Sequence, residues 1–392
     1  MKPAADVLIV GGAVTGCAAA YFLLSHMNFK GSVCVVEADP SYTQCATTRS
    51  VASIRHQFST PHNVAMSMFG TTFFRQAHEL LAVDGVAPVL GFNESGYLFL
   101  ATKEGMPALQ RNHAVQRSLK ADVALLSAAQ LRVKFPWLCI DDLAAGSLGL
   151  SGEGWLDAHA LMHGFRSKAK HLGAQFITGK VASLERQGRR VSQALLTNGE
   201  RLDCAWVVNA AGTGARAIAH SAGISLPVQA RKRCVFHFRS PAVLAKCPLV
   251  VDPSGLYFRP EGQGFICGAA LAPDADPPSE DFEVDWPRWD ERLWPALAQR
   301  VPGFESAKLI SAWAGHYDVN VLDHNVILGL HPDVDNLIFA NGFSGHGLQQ
   351  SPAIGRAVAE LIVDGKFRSL DLTALGWQRV LNNQPLLELN VV

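Results

Sequence analysis

The run from Asp6 to Glu37 constrains the fold of this chain more than any other stretch. Val7 to Val10 are four consecutive apolar residues, short enough for one strand buried on both faces. A glycine-rich turn follows, Gly11-Gly12-Ala13-Val14-Thr15-Gly16, and an apolar, small-residue run to about Leu24 predicts a helix. Gly31 and Ser32 break that pattern, and a second strand ends at Glu37. A β-α-β unit with glycines at its first turn is a dinucleotide-binding fingerprint, for physical reasons. Gly11 permits the tight turn, a small residue at 13 admits a pyrophosphate, and Gly16 lets helix and strand approach closely. Free N–H groups at the helix start, across Gly12, Val14 and Thr15, then hold phosphates. Glu37, roughly twenty residues on, is placed to accept hydrogen bonds from a ribose, with Ala38 beside it.

Ala13 replaces the middle glycine of the usual pattern, and Val7 to Leu24 carries no charge. That run also matches a membrane span or a signal sequence. Asp6 ahead of the strand, the glycine pair within the run and the acid at its end favour the dinucleotide reading. The 392 residues are enough for two domains, and 48% hydrophobic with 17% charged residues describes a compact globular protein. Lys+Arg and Asp+Glu both total 34, so no charge excess favours nucleic acid. The eight cysteines have no C-x-x-C pair and no metal-type spacing, which predicts buried thiols and no metal site.

After Glu37 comes a polar loop, residues 43–59, long enough to suggest function. Pro61 opens a helix by its apolar spacing, a strand is expected over 97–100, and an amphipathic helix over 104–119. Asp157 is placed to cap a helix that Gly173 ends. Strands are predicted at 175–178, 181–185, 192–196 and 206–208, with Asn198-Gly199 as a hairpin turn. Asn209-Ala210-Ala211-Gly212 is a second place for close backbone approach to a ligand. Between 227 and 318 the texture becomes mixed β, with strands at 234–238, 256–258 and 265–268 and a helix near 286–300. The α/β rhythm returns at 326–329 and 337–340, and Gly342 to Gly347 open a helix to about Asp364. The expected fold class is therefore α/β: a discontinuous Rossmann-type nucleotide-binding domain (1–90, 150–225, 319–392) plus a mixed β-sheet, α+β second domain that roofs the site (91–149, 226–318), which the resemblance given next implies to be the FAD-binding and substrate domains.

Four stretches in this order resemble the D-amino-acid oxidase superfamily of flavoproteins, which includes sarcosine oxidase, glycine oxidase and the dimethylglycine dehydrogenase group. They are VGGAVTG with Glu37, Val207 to Gly212, Tyr257-Phe258-Arg259-Pro260 and Asn341 to Gly347. The runs Arg49 to Ser59, Lys134 to Trp137, Gly152 to Trp155 and Gly342 to Gln350 resemble a mitochondrial branch of FAD-dependent oxidoreductase proteins linked to respiratory-complex assembly. No transit peptide precedes Asp6, so the expected location is cytoplasmic, with no transmembrane segment.

The resemblance implies noncovalent FAD, held by Gly11 to Gly16, Glu37, Ala38, Thr48, Arg49, Ser50, Ser53, Ile54, Val181 and Ala210 to Gly212. Gly342, Phe343, Ser344, Gly345, His346, Gly347, Leu348 and Gln349 would take the isoalloxazine end. Gly315 matches the cysteine that anchors flavin in sarcosine oxidase, hence the noncovalent expectation, although His56 is a second candidate for a covalent bond. Arg55 matches one cation of the family's carboxylate clamp, and Gln349 stands where the second, a lysine, would be. Arg259 is either a replacement for that lysine or an exposed strand-end arginine, and Tyr257 lies beside it. His346 flanks the flavin, as a bonding group or a base. Ile266 matches the lysine that favours electron transfer to O₂, which leaves O₂ or an unknown acceptor as the oxidant. The implied activity is oxidation of the C–N bond of a small carboxylate-bearing amine. The alternatives are a 2-hydroxy-acid dehydrogenase and a flavin-binding assembly protein with little turnover.

Overall fold

The computed structural model describes residues 4–272 and 275–390. Its first eight-stranded sheet runs Ile327–Leu330, Leu337–Asn341, Arg201–Asn209, Ala4–Val10, Val33–Glu37, Gln175–Thr178, with Arg190–Leu196 paired to Arg201–Asn209 and Val181–Gln187 paired in turn to Arg190–Leu196. Ala4–Val10 pairs in parallel on both sides, with Val33–Glu37 and with Arg201–Asn209. That explains its unbroken apolar run. Val7 and Ile9 pack toward one layer, Leu8 and Val10 toward the other.

The helix Val14–Ser25 is apolar all round because helices also surround it. A Cβ on Gly355, in the helix Gly347–Asp364, would stand 2.7 Å from the Ala18 carbonyl carbon, so the two backbones nearly touch. The uncharged run is thus one strand and one buried helix. Among the described residues no helix is long and apolar enough to cross a membrane.

The second sheet runs Lys308–Asn320, Val228–Arg239, Gly264–Ala269, Leu256–Glu261, Leu249–Val251, Tyr97–Ala101, Ala145–Gly149, Val123–Ser127. Its pairs are antiparallel except Leu249–Val251 with Tyr97–Ala101. One face buries Phe236, Phe238, Phe258 and Phe304 in a separate core, and the other face carries Tyr97 and Tyr257 toward the first sheet's loops. The capping role of Asp157 is observed: its carboxylate accepts from Ala160 N. Alternation does not mark the longest strand, Lys308–Asn320, because its polar residues are buried only through tertiary contacts, as at His316, Asp318 and Asn320. The helix expected near 286–300 is a π-helical turn, Trp289–Leu293, followed by the α-helix Trp294–Arg300, with Trp289, Leu293 and Leu297 buried.

Candidate active site

The glycine turn lies at the carboxyl edge of the parallel strands. Gly11 has φ +99°, and a Cβ there would meet the Ala210 carbonyl oxygen at 2.4 Å; one on Gly16 would meet the Gly11 oxygen at 1.9 Å. The helix beginning at Val14 follows Ala13, which offers no side-chain cap, and has no acid in its first turn; Val14 N makes only a long bond to Thr47 Oγ1 at 3.4 Å, so the helix start retains its pull on an anion. Glu37 folds back on the turn, accepting from Gly12 N at 2.6 Å and Asp39 N at 2.8 Å. Ala38 is exposed, and Val181 is buried at the head of its strand in the layer that holds Val36. Across the turn, Ala210 N donates to the Val10 carbonyl, Ala211 N to Asn209 Oδ1 at 3.2 Å, and Gly212 (φ +52°) faces open space.

The 43–59 loop is fastened to itself and to the second sheet. Thr48 Oγ1 donates to the Tyr42 carbonyl at 2.5 Å and Ser50 Oγ to the Thr47 carbonyl at 2.8 Å. Arg49 donates to the Thr43 and Ala314 carbonyls at 2.6 and 2.7 Å and covers the Phe282 ring. A Cβ on Gly315 would come within 3.0 Å of the Arg49 Cβ. Ser53–Ile54 forms a short strand pair with Gly154–Trp155.

Asp318, not singled out by the sequence, shapes the 342–347 loop. It accepts from Gly342 N at 2.8 Å and Phe343 N at 3.3 Å, and burial pushes its carboxyl up to about 6 against those two bonds. Gly345 has φ +93°, and a Cβ there would strike the Tyr317 ring at 2.5 Å. The loop delivers His346 to the start of Gly347–Asp364, again without a side-chain cap, with Leu348 partly buried in the first turn. Just before the loop, both side-chain amide atoms of the fully buried Asn341 lack a partner among the described residues. An orphaned amide, an uncapped helix start and a cradle shaped by missing Cβ atoms fit an extended dinucleotide.

Arg55, Tyr257, His346 and Gln349 line one small cavity with Val51, Ser53, Tyr97, Leu249, Tyr317 and Gly345; it encloses about 20 Å³. Arg55 is 3% exposed. Its N–H donates to Gln349 Oε1 at 2.7 Å, and its guanidinium to the Gln57 carbonyl at 2.5 Å and to the Asn390 carbonyl, and it covers the Phe58 ring. Arg55 Nη2 lies 3.2 Å from His346 Nε2. A guanidinium can only donate, so this contact makes Nε2 an acceptor and leaves the proton on Nδ1. Burial first, then the Arg55 charge, hold His346 well below the usual histidine range. Burial also raises Tyr97 to about 12 and lifts Tyr257 and Tyr317, so all three phenols stay protonated.

Two expected residues lie apart from this cavity. Arg259 is neither an exposed strand end nor a wall of the cavity. It is buried, donates to the Val51 carbonyl at 2.8 and 3.1 Å, and is paired with Glu261. The register of Leu256–Glu261 explains this, since alternate residues put Tyr257 and Arg259 on one face while only Tyr257 reaches the opening. His56 turns its ring to Thr71 Oγ1 at 2.8 Å, and burial pushes it down to about 4.

Sequence reasoning also passed over Tyr97, Tyr317 and the buried Glu153. Glu153 accepts from His56 N and Gln57 Nε2, both at 2.7 Å, directly behind Arg55. Gly152-Glu153-Gly154 was the available signal, because an acid flanked by glycines suits a packed turn.

A model of the FAD dependent oxidoreductase family (DAO) matches residues 6–361. FAD-dependent oxidoreductase domain-containing protein 1 of Xenopus laevis is 42% identical over 423 residues, covering 99% of this chain and 85% of the relative. Among solved structures, L-proline dehydrogenase from P. horikoshii superposes with TM-score 0.87 at 23% identity, covering 98% of this chain and 100% of that one. Glycine oxidase from Geobacillus kaustophilus gives 0.82 at 24% identity, covering 96% and 99%.

Proposed function

Because the chain belongs to the FAD dependent oxidoreductase family, we propose that it oxidises the C–N bond of a small carboxylate-bearing amine. The substrate class is a small amino acid or N-substituted glycine, and the product imine then hydrolyses. FAD, when bound, supplies the two-electron acceptor for the substrate hydride. Gly11 to Gly16 with Glu37 would hold its adenosine and phosphates, and residues 342–349 its isoalloxazine end. The uncapped start of Gly347–Asp364 favours negative charge there. With Gly315 at the anchoring position, we take FAD to be noncovalent.

The observation that carries the substrate class is Arg55. It is a buried cation in a cavity wall, and its partners among the described residues are carbonyl oxygens and a neutral imidazole, none of them a carboxylate. A buried charge is costly unless it is paired, and a substrate carboxylate completes it. The three protonated tyrosines offer aromatic walls but no base. His346 Nε2 is engaged by Arg55. Hydride removal from a neutral amine needs chiefly an aligned Cα–H, whereas a hydroxy acid also needs a base for its hydroxyl proton, so the site favours the amine. Glycine oxidase and L-proline dehydrogenase, which share the fold, are named for amino-acid substrates.

The test is anaerobic flavin bleaching over a panel of small amino acids, N-methyl amino acids and 2-hydroxy acids. Bleaching by amines alone supports the reading. Bleaching by hydroxy acids alone replaces it with the alcohol reaction, and none with any compound assigns the protein a binding role.

A further inference from the structure

The C-terminal stretch 386–390 lies across the start of the helix Pro61–Leu80 and the segment 55–60. Leu386 N donates to Asp323 Oδ2 at 3.0 Å, and its carbonyl accepts from Asn325 Nδ2 at 2.5 Å. Glu388 N donates to the Asp323 carbonyl at 3.1 Å. The Glu388 side chain is the anchor. It is 1% exposed, and its carboxylate accepts from Ser59 N and Oγ at 2.8 and 2.7 Å and from Thr60 N and Oγ1 at 3.1 and 2.9 Å. Asn63 Nδ2 and Asn390 N, both at 3.0 Å, complete the shell. Thr60 immediately precedes the helix, so the negative charge sits at its positive end.

From that anchor the stretch reaches Arg55. Asn390 Nδ2 donates to the Gln57 carbonyl at 2.8 Å, the same oxygen that Arg55 Nη1 meets at 2.5 Å. The Asn390 carbonyl accepts from Arg55 Nη2. A guanidinium carries five N–H donors in a rigid plane. Gln57, His346 and Asn390 take one Nη1 and both Nη2 hydrogens, which leaves the Nε donor and the other Nη1 donor uncommitted among the described residues.

We infer that Glu388 is a positioning residue for the substrate-carboxylate site: it locks the C-terminal stretch onto segment 55–60, and Asn390 then fixes the plane of the Arg55 guanidinium. The inference rests on the reading of Arg55 as the carboxylate-binding cation. A looser tail lets the guanidinium rotate about its side-chain torsions, so a bound carboxylate must order it and binds more weakly.

The experiment titrates the FAD-loaded protein with acetate, glycolate and benzoate, followed by flavin absorbance, with the flavin-to-protein ratio as a check on cofactor loading. Glu388→Ala is expected to raise the acetate Kd about ten- to a hundred-fold with FAD retained, the range for one hydrogen bond to a charged group. Glu388→Gln keeps the volume and one acceptor oxygen, so it raises Kd less, and it decides the matter if the alanine variant does not load FAD. In an Arg55→Ala background, Glu388→Ala should add nothing, because both act through one group. Wild-type acetate affinity in Glu388→Gln and Glu388→Ala, with Arg55→Ala weakened, overturns the inference alone, as do additive losses in the double variant. Arg55→Ala binding acetate as the wild type does, or a wild type that binds none of the three, overturns the carboxylate reading and this inference together.

Discussion

Glu153 gives the sharpest stability prediction. Its carboxylate is fully buried behind Arg55, held by His56 N and Gln57 Nε2, and burial pushes it up from an ordinary 4.5 to about 7 despite those bonds. The folded state therefore holds this proton more tightly than the unfolded chain does. The stability from the proton is fully present below about pH 4.5 and is lost as pH rises through 7. With 1.36 kcal/mol for each pH unit between the two values, the loss between pH 5 and pH 8 is about 2–3 kcal/mol. Asp318, raised to about 6, contributes with the same sign, so a single pH profile does not isolate Glu153. The difference between wild type and Glu153→Gln does. Glutamine still accepts from His56 N, and the Gln57 amide, whose Oε1 has no partner among the described residues, can turn to meet the new NH₂; either cost is independent of pH. Urea unfolding at pH 5 and pH 8 should show the wild type losing about 2–3 kcal/mol more than Glu153→Gln. Equal losses in the two proteins would refute the assignment of a proton to Glu153.

Three further outcomes are expected. Gly16→Ala places a Cβ at 1.9 Å from the Gly11 oxygen, so the variant should purify folded but colourless, checked by circular dichroism and the flavin-to-protein ratio; wild-type flavin content counts against the cradle. Acid precipitation should release the flavin from the wild type, and colour remaining in the pellet would mean a covalent link. Ile266 is buried opposite Arg259, which Glu261 neutralises, and Lys232 is paired with Asp281 at 2.6 Å. With an apolar side chain at 266 and both Arg259 and Lys232 paired to acids, neither is left to stabilise superoxide, so stopped-flow reoxidation of the reduced protein in air-saturated buffer should be slow, and faster with an acceptor dye. Rapid reoxidation in air would contradict this.

The nucleotide half was legible in the chain because local sterics and one buried strand dictate it. Only glycine tolerates the contacts at Gly11 and Gly16, only an apolar run suits a strand paired on both edges, and Asp157 caps its helix through a bond three residues away. Residue type and spacing alone carry those facts. The cavity around Arg55 is different, because its parts meet from distant segments: Arg55 from a loop, Tyr97 and Tyr257 from two strands, Tyr317 from a strand that alternation does not mark, and Asn390 from near the end of the chain. Sheet register decided that Tyr257 faces the cavity while Arg259 is spent on Val51 and Glu261. The anchoring of the 342–347 loop by Asp318 and of the C-terminal stretch by Glu388 are likewise tertiary facts. A buried carboxylate is stable only where several N–H donors converge on it, and such convergence belongs to the folded packing, not to any local pattern of residues.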